Sequence, residues 1–264
     1  MTFQHKTIWI TGASSGIGEA LAIEWSKYKP NIILSGRNID KMEHVKGECE
    51  KNGAKCIIVQ LDLTNQESIT DAADKVISTF DKIDILVNNG GISQRSIATE
   101  TPIEVDRTVL ETNFFGAVSL TKKVLPVMVK NNGGHILVIS SVVGKFGFPL
   151  RTAYSASKHA LQGFFESLRA ETKDKNIRVT IVSPGRIRTN ISINAINKDG
   201  DQHGEMDPGQ ANGMAADKCA RQIIKAVAKN KKELLIGGKE VVMVYIRKFF
   251  PALFYRMTSK VSPK

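Results

Sequence analysis

Short apolar runs alternate with longer, more polar segments along most of the chain, and most of the runs end at glycine, serine or asparagine. Short apolar runs bounded by such residues predict buried strands, and the segments between them have the length and apolar spacing of helices. Seven runs predict strands, at residues 6–11, 31–36, 55–63, 82–91, 135–141, 177–185 and 233–238.

Strands that are apolar on both faces and separated by helices predict a parallel sheet with helices on both sides. Right-handed crossovers then produce a doubly wound α/β fold, a seven-stranded Rossmann fold in three layers, α/β/α. No linker or repeat divides the chain, so we predict one catalytic domain over residues 1–238 and a tail over residues 239–264. The polar, glycine-containing segment 189–214 predicts a substrate lid.

The composition is that of a soluble globular protein, with 42% hydrophobic and 24% charged residues in a chain of 264. The sequence contains neither a signal-peptide pattern nor an apolar run long enough to span a bilayer, which argues against an integral membrane protein. The three cysteines lack the spacing of metal ligands. We therefore expect no metal, reduced thiols and a cytoplasmic location.

The net charge of +11 is scattered, except in the tail, where six basic residues and one acidic residue give +5. Such a charge is compatible with nucleic acid, a membrane surface or anionic ligands as partners. Nucleic acid is disfavoured because basic and aromatic residues do not interleave on a recognisable module. For the tail, packing on its own domain or a partner subunit is favoured over peripheral membrane contact.

A glycine cluster follows the first predicted strand and precedes the first predicted helix. Gly12, Gly16 and Gly18 have the spacing TGxxxGxG, and glycine lets the backbone approach a pyrophosphate closely. The helix that follows directs free N–H groups at that anion. The motif therefore predicts a dinucleotide site.

The end of the second strand favours NADP(H) over NAD(H). An acidic residue about 20 residues beyond the glycines would bind the ribose hydroxyls of NAD. Here Arg37 lies 19 residues after Gly18, and its guanidinium suits a 2′-phosphate, with Ser14 and Asn38 as further donors.

Two further strand ends contribute polar groups to the same edge of the sheet. After the third strand, Asp62 can accept a hydrogen bond from an adenine amino group. In the stretch NNGG after the fourth, we expect Asn88 to hold the local backbone in place and Gly90 to leave room for the cofactor.

Tyr154 and Lys158 are four residues apart on a predicted helix and therefore share a face. A free phenol has a pKa of about 10, and an adjacent ammonium lowers it. The pair therefore predicts a tyrosine that acts as general acid and base.

The fifth strand ends in Ser140 and Ser141, and Ser141, 13 residues before Tyr154, can hold a substrate carbonyl beside the phenol. Asn113 falls within a long apolar helix, either as a satisfied core amide or as the holder of a water near Lys158.

The motifs TGASSGIG, NNGG, YSASK and PGRIRT together resemble those of the short-chain dehydrogenase/reductase family, in its NADP-preferring branch, over residues 6–238. One departure is Gly90, where the family usually has alanine. The resemblance implies a catalytic tetrad in which Tyr154 exchanges the proton, Lys158 binds the nicotinamide ribose, Ser141 orients substrate and the backbone of Asn113 holds a water. The implied cofactor site comprises Gly12, Ser14, Ser15, Gly16, Ile17, Gly18, Arg37, Asn38, Asp62, Leu63, Asn89, Gly90, Tyr154, Lys158, Pro184, Gly185, Ile187 and Thr189.

These features predict an NADP(H)-dependent oxidoreductase that interconverts an apolar ketone or aldehyde and an alcohol, with Leu150, Ile191 and Ile193 as candidate pocket walls. A 3-oxoacyl-thioester reductase, whose acidic carrier protein the positive surface would attract, is one alternative. A non-catalytic dinucleotide-binding regulator is another. The resemblance also implies a homodimer or homotetramer, with Phe164 and Phe165 as candidate interface residues.

Overall fold

A computed structural model of the chain describes residues 2–258. Its centre is a seven-stranded sheet in the order β3-β2-β1-β4-β5-β6-β9, and every neighbouring pair in it is parallel. The predicted doubly wound fold is therefore confirmed. The strands are β1 (Thr7–Thr11), β2 (Asn31–Gly36), β3 (Lys55–Gln60), β4 (Ile85–Asn88), β5 (Gly134–Ile139), β6 (Ile177–Pro184) and β9 (Glu233–Ile236).

Helices cover both faces of the sheet. They are α1 (Gly16–Ser26), α2 (Ile39–Lys51), α3 (Gln66–Thr79), α4 (Ile103–Leu110), α5 (Gly116–Lys130), α6 (Thr152–Glu171), α7 (Pro208–Ala211), α8 (Ala216–Ala228), α9 (Val242–Phe249) and α10 (Pro251–Thr258).

Two hydrophobic cores result from the alternation of side chains along each strand. Ile8 and Ile10 of β1 belong to the core under α1, α2 and α8, whereas Trp9 between them belongs to the core under α3, α5 and α6. Successive side chains of a strand point to opposite faces, so a strand that is apolar throughout needs cover on both sides. The three predicted layers follow directly.

Several strands end earlier than the apolar runs that predicted them. β3 stops at Gln60 and β4 at Asn88, so residues 61–63 and 89–91 form loops at the carboxyl edge of the sheet. These loops place their side chains beside one another, where ligands bind in open α/β sheets.

The helix predicted around Asn113 is interrupted. A π-helical turn, Glu111–Phe115, separates α4 from α5, and the N–H of Gly116 donates to the carbonyl of Glu111. A Cβ at Gly116 would lie 2.4 Å from the carbonyl oxygen of Leu63, so α5 begins in direct contact with the loop after β3. Single π turns inside helices are frequent at functional sites.

The segment predicted as a lid has its own structure. Strands β7 (Ile187–Arg188) and β8 (Met214–Ala215) pair at its two ends, with α7 between them. Ile196, in its middle, accepts a hydrogen bond of 2.8 Å from the N–H of Arg95. The segment is thus fastened to the loop that follows β4.

The tail packs on its own chain through α9 and α10, as the sequence favoured. Phe254 is buried against Phe146, with the ring centroids 5.4 Å apart, and both join a small core with Val142 and Val143. Residues 259–264 of the tail lie outside the described part of the chain.

The prediction of Phe165 as an interface residue is wrong. Its side chain is fully buried in the core beneath α6, because its position on the helix faces the sheet. Phe164 is half-buried and packs edge-on against Phe114 and Phe165.

Cys49, Cys56 and Cys219 are free and buried. Within residues 2–258, no cluster of three His, Cys, Asp or Glu side chains could hold a metal ion. In the same part of the chain, no helix is long and apolar enough to cross a membrane.

Candidate active site

A cleft of about 1360 Å³ runs along the carboxyl edge of the sheet and brings together nearly all the predicted site residues. Those that line it are Gly12, Ser14, Ser15, Gly16, Ile17, Arg37, Asn38, Asp62, Leu63, Asn89, Gly90, Ser141, Tyr154, Lys158, Pro184, Gly185, Ile187 and Thr189. Gly18 and Asn113 do not line it, but they lie against loops that do, at Gly12 and Gly91 respectively.

The glycine cluster forms a tight turn between β1 and α1. Gly12 and Gly16 both have φ +63°, a conformation that side chains disfavour. A Cβ at Gly18 would lie 2.3 Å from the carbonyl oxygen of Gly12, so only glycine allows α1 to start so close to the turn. Ser15, in extended conformation, directly precedes α1, and Ser15, Gly16 and Ile17 line the cleft. This cradle fits a pyrophosphate.

Asn89, rather than Asn88, pins the backbone of this turn. The Asn89 amide donates to the carbonyl oxygens of Thr11, at 2.9 Å, and Gly12, at 3.1 Å. The Asn88 amide donates instead to the Thr121 hydroxyl at 2.9 Å, which ties β4 to α5. Neighbouring residues of a strand point to opposite faces, so the two asparagines serve different layers.

The room that Gly90 leaves is next to Leu63. A Cβ at Gly90 would lie 2.6 Å from Cδ1 of Leu63, and Leu63 itself lines the cleft. The usual alanine of the family would therefore displace a side chain from the cleft wall.

The end of the cleft beside β2 is basic. Arg37 is exposed there, and Lys41, which the sequence analysis missed, lines the cleft beside it. The side-chain oxygen of Asn38 caps α2 by accepting from the N–H of Lys41 at 2.8 Å. Across the cleft, Asp62 accepts from the backbone N–H and the hydroxyl of Thr64.

Lys158 is buried, and its ammonium donates to the carbonyl of Ile139 at 2.9 Å. Burial lowers the pKa of Lys158 to about 8. Its Nζ lies 5.7 Å from the ring centroid of Tyr154, so the two residues share a helix face as their spacing predicts.

Tyr154 lines the cleft, and burial raises the pKa of its phenol. The Ser141 hydroxyl opposes this rise most strongly, followed by the positive charges of Arg95 and Arg151. The predicted lowering of this pKa by Lys158 is wrong, because burial outweighs the neighbouring groups and the cations that oppose it are two arginines from other segments.

Ser140 and Ser141 differ in their surroundings. The Ser140 hydroxyl is buried, where it donates to the carbonyl of Lys158 and accepts from Gln162. Both serines line the cleft, but the Ser141 hydroxyl makes longer hydrogen bonds of 3.3 Å, to the carbonyl of Pro184 and from the N–H of Val143, and it also bonds the Tyr154 phenol. Ser141 is therefore the serine that can meet a substrate.

The Asn113 side chain is a satisfied core amide. It accepts from the N–H of Ile92 at 2.8 Å and donates to the carbonyl of Ile92 and the hydroxyl of Ser157. It thereby fixes the loop after β4 against the helix that carries Tyr154 and Lys158. Asn113 lies within the π-helical turn, a feature that is frequent at functional sites.

Gln94 is fully buried and was missed by the sequence analysis. Its side-chain oxygen accepts from the N–H groups of Ala153, at 2.9 Å, and Tyr154, at 3.4 Å. Its amide nitrogen donates to Ser96 and Asp106, both at 3.1 Å. The polar stretch SQRS, one residue after NNGG, was the available signal.

An ion network joins the lid segment to the floor of the cleft. Asp207 accepts hydrogen bonds from Arg95 and, at 2.8 Å, from Arg151, and all three residues line the cleft. The two guanidinium groups hold the pKa of the Asp207 carboxyl below its usual range, although burial opposes them. No sequence motif indicated this contact.

The apolar walls of the cleft differ in part from those predicted. Ile191 lines it, but Leu150 and Ile193 do not, and Leu150 lies instead at a separate, smaller pocket. The walls come instead from the turn after β5 and from the tail, through Val142, Val143, Phe146, Phe148, Met243 and Met257.

Comparison with known proteins assigns this arrangement to a family. Residues 6–200 match the model of the short chain dehydrogenase family. The chain is 40% identical over 266 residues to "Dehydrogenase/reductase SDR family member 7B" of Mus musculus, covering 99% of this chain and 82% of that one. The chain therefore belongs to the short-chain dehydrogenase family, and it is an oxidoreductase that acts on CH–OH groups.

Two solved structures share the fold. A short chain dehydrogenase/reductase from Burkholderia phymatum, in complex with NAD, has a TM-score of 0.84 and 22% identity, covering 96% of each chain. An alcohol dehydrogenase from Thermococcus sibiricus, complexed with 5-hydroxy-NADP, has a TM-score of 0.76 and 24% identity, covering 89% of this chain and 97% of that one. Proteins of this fold thus bind NAD or NADP.

Proposed function

We propose that this oxidoreductase uses NADP(H) to interconvert an apolar ketone or aldehyde and the corresponding alcohol, with Tyr154 as general acid and base. The observation that carries this proposal is that Tyr154, Ser141 and Lys158 meet in one cleft with the glycine turn. Its catalytic unit is the stretch of residues 1–238, to which the tail adds cleft-lining residues.

The proton chemistry belongs to the chain. The Tyr154 phenol donates its proton to the substrate oxygen during reduction and takes it back during oxidation. The Ser141 hydroxyl, beside that phenol, holds the substrate oxygen in place. The cofactor, when bound, supplies or accepts the hydride.

Lys158 serves this step through its donors. Its ammonium is positioned by the Ile139 carbonyl and would hydrogen-bond the ribose of the cofactor. Positive charge near the phenol favours the phenolate, and Arg95 and Arg151 supply it against the effect of burial on the tyrosine pKa. The backbone at Asn113, in the π-helical turn, would hold a water that links Lys158 to solvent.

The basic end of the cleft favours NADP(H) over NAD(H). Arg37 and Lys41 line the cleft where β2 ends, and a 2′-phosphate needs cationic donors at this position. Asp62 faces the adenine end, and Pro184, Gly185, Ile187 and Thr189 flank the nicotinamide end.

The lining of the substrate end favours an apolar substrate, because Phe146, Phe148 and Met243 form its walls. A 3-oxoacyl thioester remains the second candidate, since the net charge of +11 suits an acidic carrier protein. Assembly as a homodimer or homotetramer and a cytoplasmic location are further predictions, and the three buried free thiols support the latter.

A panel of carbonyl compounds assayed with NADPH and NADH, with Tyr154→Phe as the key variant, tests this function. We expect turnover of free ketones by the native protein, and loss of turnover in the variant with retained NADPH binding. Turnover restricted to acetoacetyl thioesters would select the alternative substrate, and undiminished turnover by Tyr154→Phe would refute the role of the tyrosine.

A further inference from the structure

The tail presents exposed apolar side chains on one side of each of its two helices. Val242, Tyr245 and Phe249 follow an i, i+3, i+7 spacing along α9, and Phe250, Leu253 and Met257 repeat it at α10. Phe249 and Phe250 are 62% and 64% exposed, the largest values among the exposed large hydrophobic residues described. We name these six residues the tail face.

The tail face is not required to hold the helices in place. Other side chains already fasten the helices to the domain, because Val244 and Ile246 of α9 and Phe254 of α10 join the small core formed by Val142 and Phe146. Both helices are thus bound to the domain while the six residues of the tail face stay exposed. Contiguous exposed apolar surface on a folded protein marks an interaction site.

Positive charge surrounds the tail face. Lys248 lies with its Nζ 5.4 Å from the ring centroid of Phe249, and the Arg247 guanidinium lies 5.1 Å from that of Tyr255. Glu240 is the only carboxylate in the described part of the tail, and it is bound by the backbone N–H groups of Arg186 and Gly238. The surface therefore combines aromatic residues with the cations Arg247 and Lys248, while the carboxylate in the described part of the tail is bound elsewhere.

We propose that the tail face docks the protein on the surface of a membrane that contains anionic lipids. Aromatic and aliphatic side chains would enter the boundary between headgroups and acyl chains, while Lys248 meets the lipid phosphates. The charges argue against a second copy as the occupant. In a symmetric contact the same patch meets itself, which would oppose like charges.

The mouth of the cleft adjoins the docking surface. Met243, Met257 and Thr258 line the cleft and belong to the same two helices as the tail face. A docked protein would therefore open its cleft toward the bilayer, from which an apolar substrate can enter without crossing water. This consequence rests on the proposed function, whereas docking itself does not.

Sedimentation of the full chain with lipid vesicles tests the proposal. We expect the protein to sediment with phosphatidylcholine vesicles that contain phosphatidylserine, and to do so less with pure phosphatidylcholine or at high salt. The triple variant Phe249→Ser, Phe250→Ser, Leu253→Ser should lose about tenfold or more in partitioning. Lys248→Glu should weaken binding several-fold, and only to the anionic vesicles.

Tyr28→Ser combined with Ile103→Ser is the matched control, since both residues are exposed and lie outside the tail. Turnover of a water-soluble ketone with NADPH should be equal in all variants, which separates loss of docking from misfolding. If neither the native protein nor any variant turned over the ketone, the proposed function would be contradicted and the vesicle result would still stand.

Unchanged vesicle binding by the triple variant would overturn docking. A reduced mass of that variant in sedimentation velocity, with unchanged vesicle binding, would identify the face as a subunit interface and overturn it as well.

Discussion

The side-chain oxygen of Gln94 accepts a hydrogen bond of 2.9 Å from the backbone N–H of Ala153, the second residue of α6. The first N–H groups of a helix have no partner within it, and the side chain of Arg151, the residue before α6, makes no capping bond there. The helix that carries Tyr154 and Lys158 is therefore capped by a loop from another part of the sheet. The position of the phenol depends on that loop.

Gln94→Leu is expected to lower kcat about ten- to a hundredfold with little change in the KM for NADPH, because small displacements of a catalytic group cost this much. The variant also leaves Asp106 without a donor and should lose about 1 kcal/mol of unfolding free energy. Steady-state kinetics across pH and urea unfolding measure these effects.

Ser96→Ala is the control for Gln94→Leu, since it removes a partner of the Gln94 amide but leaves the cap on α6. If Gln94→Leu lost stability while kcat and its pH profile stayed native, Gln94 would have a structural role and no positioning role.

Asp207→Asn is expected to raise the KM for substrate and to lower the free energy of unfolding by about 1–2 kcal/mol at neutral pH, a figure discounted for the partial exposure of this network. The pKa of Asp207 is lower in the folded protein than its ordinary value. Its stabilising effect is therefore present above pH 4, about its unfolded pKa, and disappears as pH falls through the folded pKa.

The difference in stability between native protein and Asp207→Asn should accordingly shrink below about pH 4. Exposed Asp199, in the same segment, provides the control variant Asp199→Asn. A difference that stayed constant through the acid range would show that Asp207 does not act through its charge.

Lys158→Met is expected to abolish turnover and to alter how stability depends on pH. Burial lowers the pKa of Lys158 to about 8 from an ordinary 10.5, so between these values the unfolded chain binds more protons. The free energy of unfolding of the native protein should therefore rise relative to the variant, by up to about 3 kcal/mol, between pH 8 and 10.5.

Denaturant unfolding at a series of pH values measures this difference, and the exposed Lys122→Met controls for the loss of a lysine. A difference between native protein and Lys158→Met that did not change across this range would contradict the burial of a charged ammonium.

Arg37→Asp is expected to weaken NADPH binding about ten- to a hundredfold and to leave NADH binding less affected, because a carboxylate repels the 2′-phosphate and suits ribose hydroxyls. Fluorescence titration of both cofactors measures this directly, without turnover. The exposed Arg107→Asp, on α4, controls for the change in net charge. Equal weakening of NADPH and NADH binding would show that Arg37 does not recognise the 2′-phosphate.

The order of strands and helices, the glycine turn and the shared face of Tyr154 and Lys158 were all predictable from the sequence. Each depends on local periodicity: alternation along strands, the helical spacing of four, and the backbone freedom of glycine between a strand and a helix. The predicted fold is confirmed, and it could be predicted because these local preferences agree with one another.

Tertiary structure alone decided which polar residues meet. Arg95 and Arg151 bind Asp207 across separations of 112 and 56 residues, and Gln94 reaches Ala153 across 59. It also decided that Asn89 and not Asn88 pins the glycine turn, and that Phe165 faces the core. Sequence periodicity specifies which side of an element is apolar, but not which distant loop lies against it. Those contacts depend on how the loops pack once the sheet has brought their ends together.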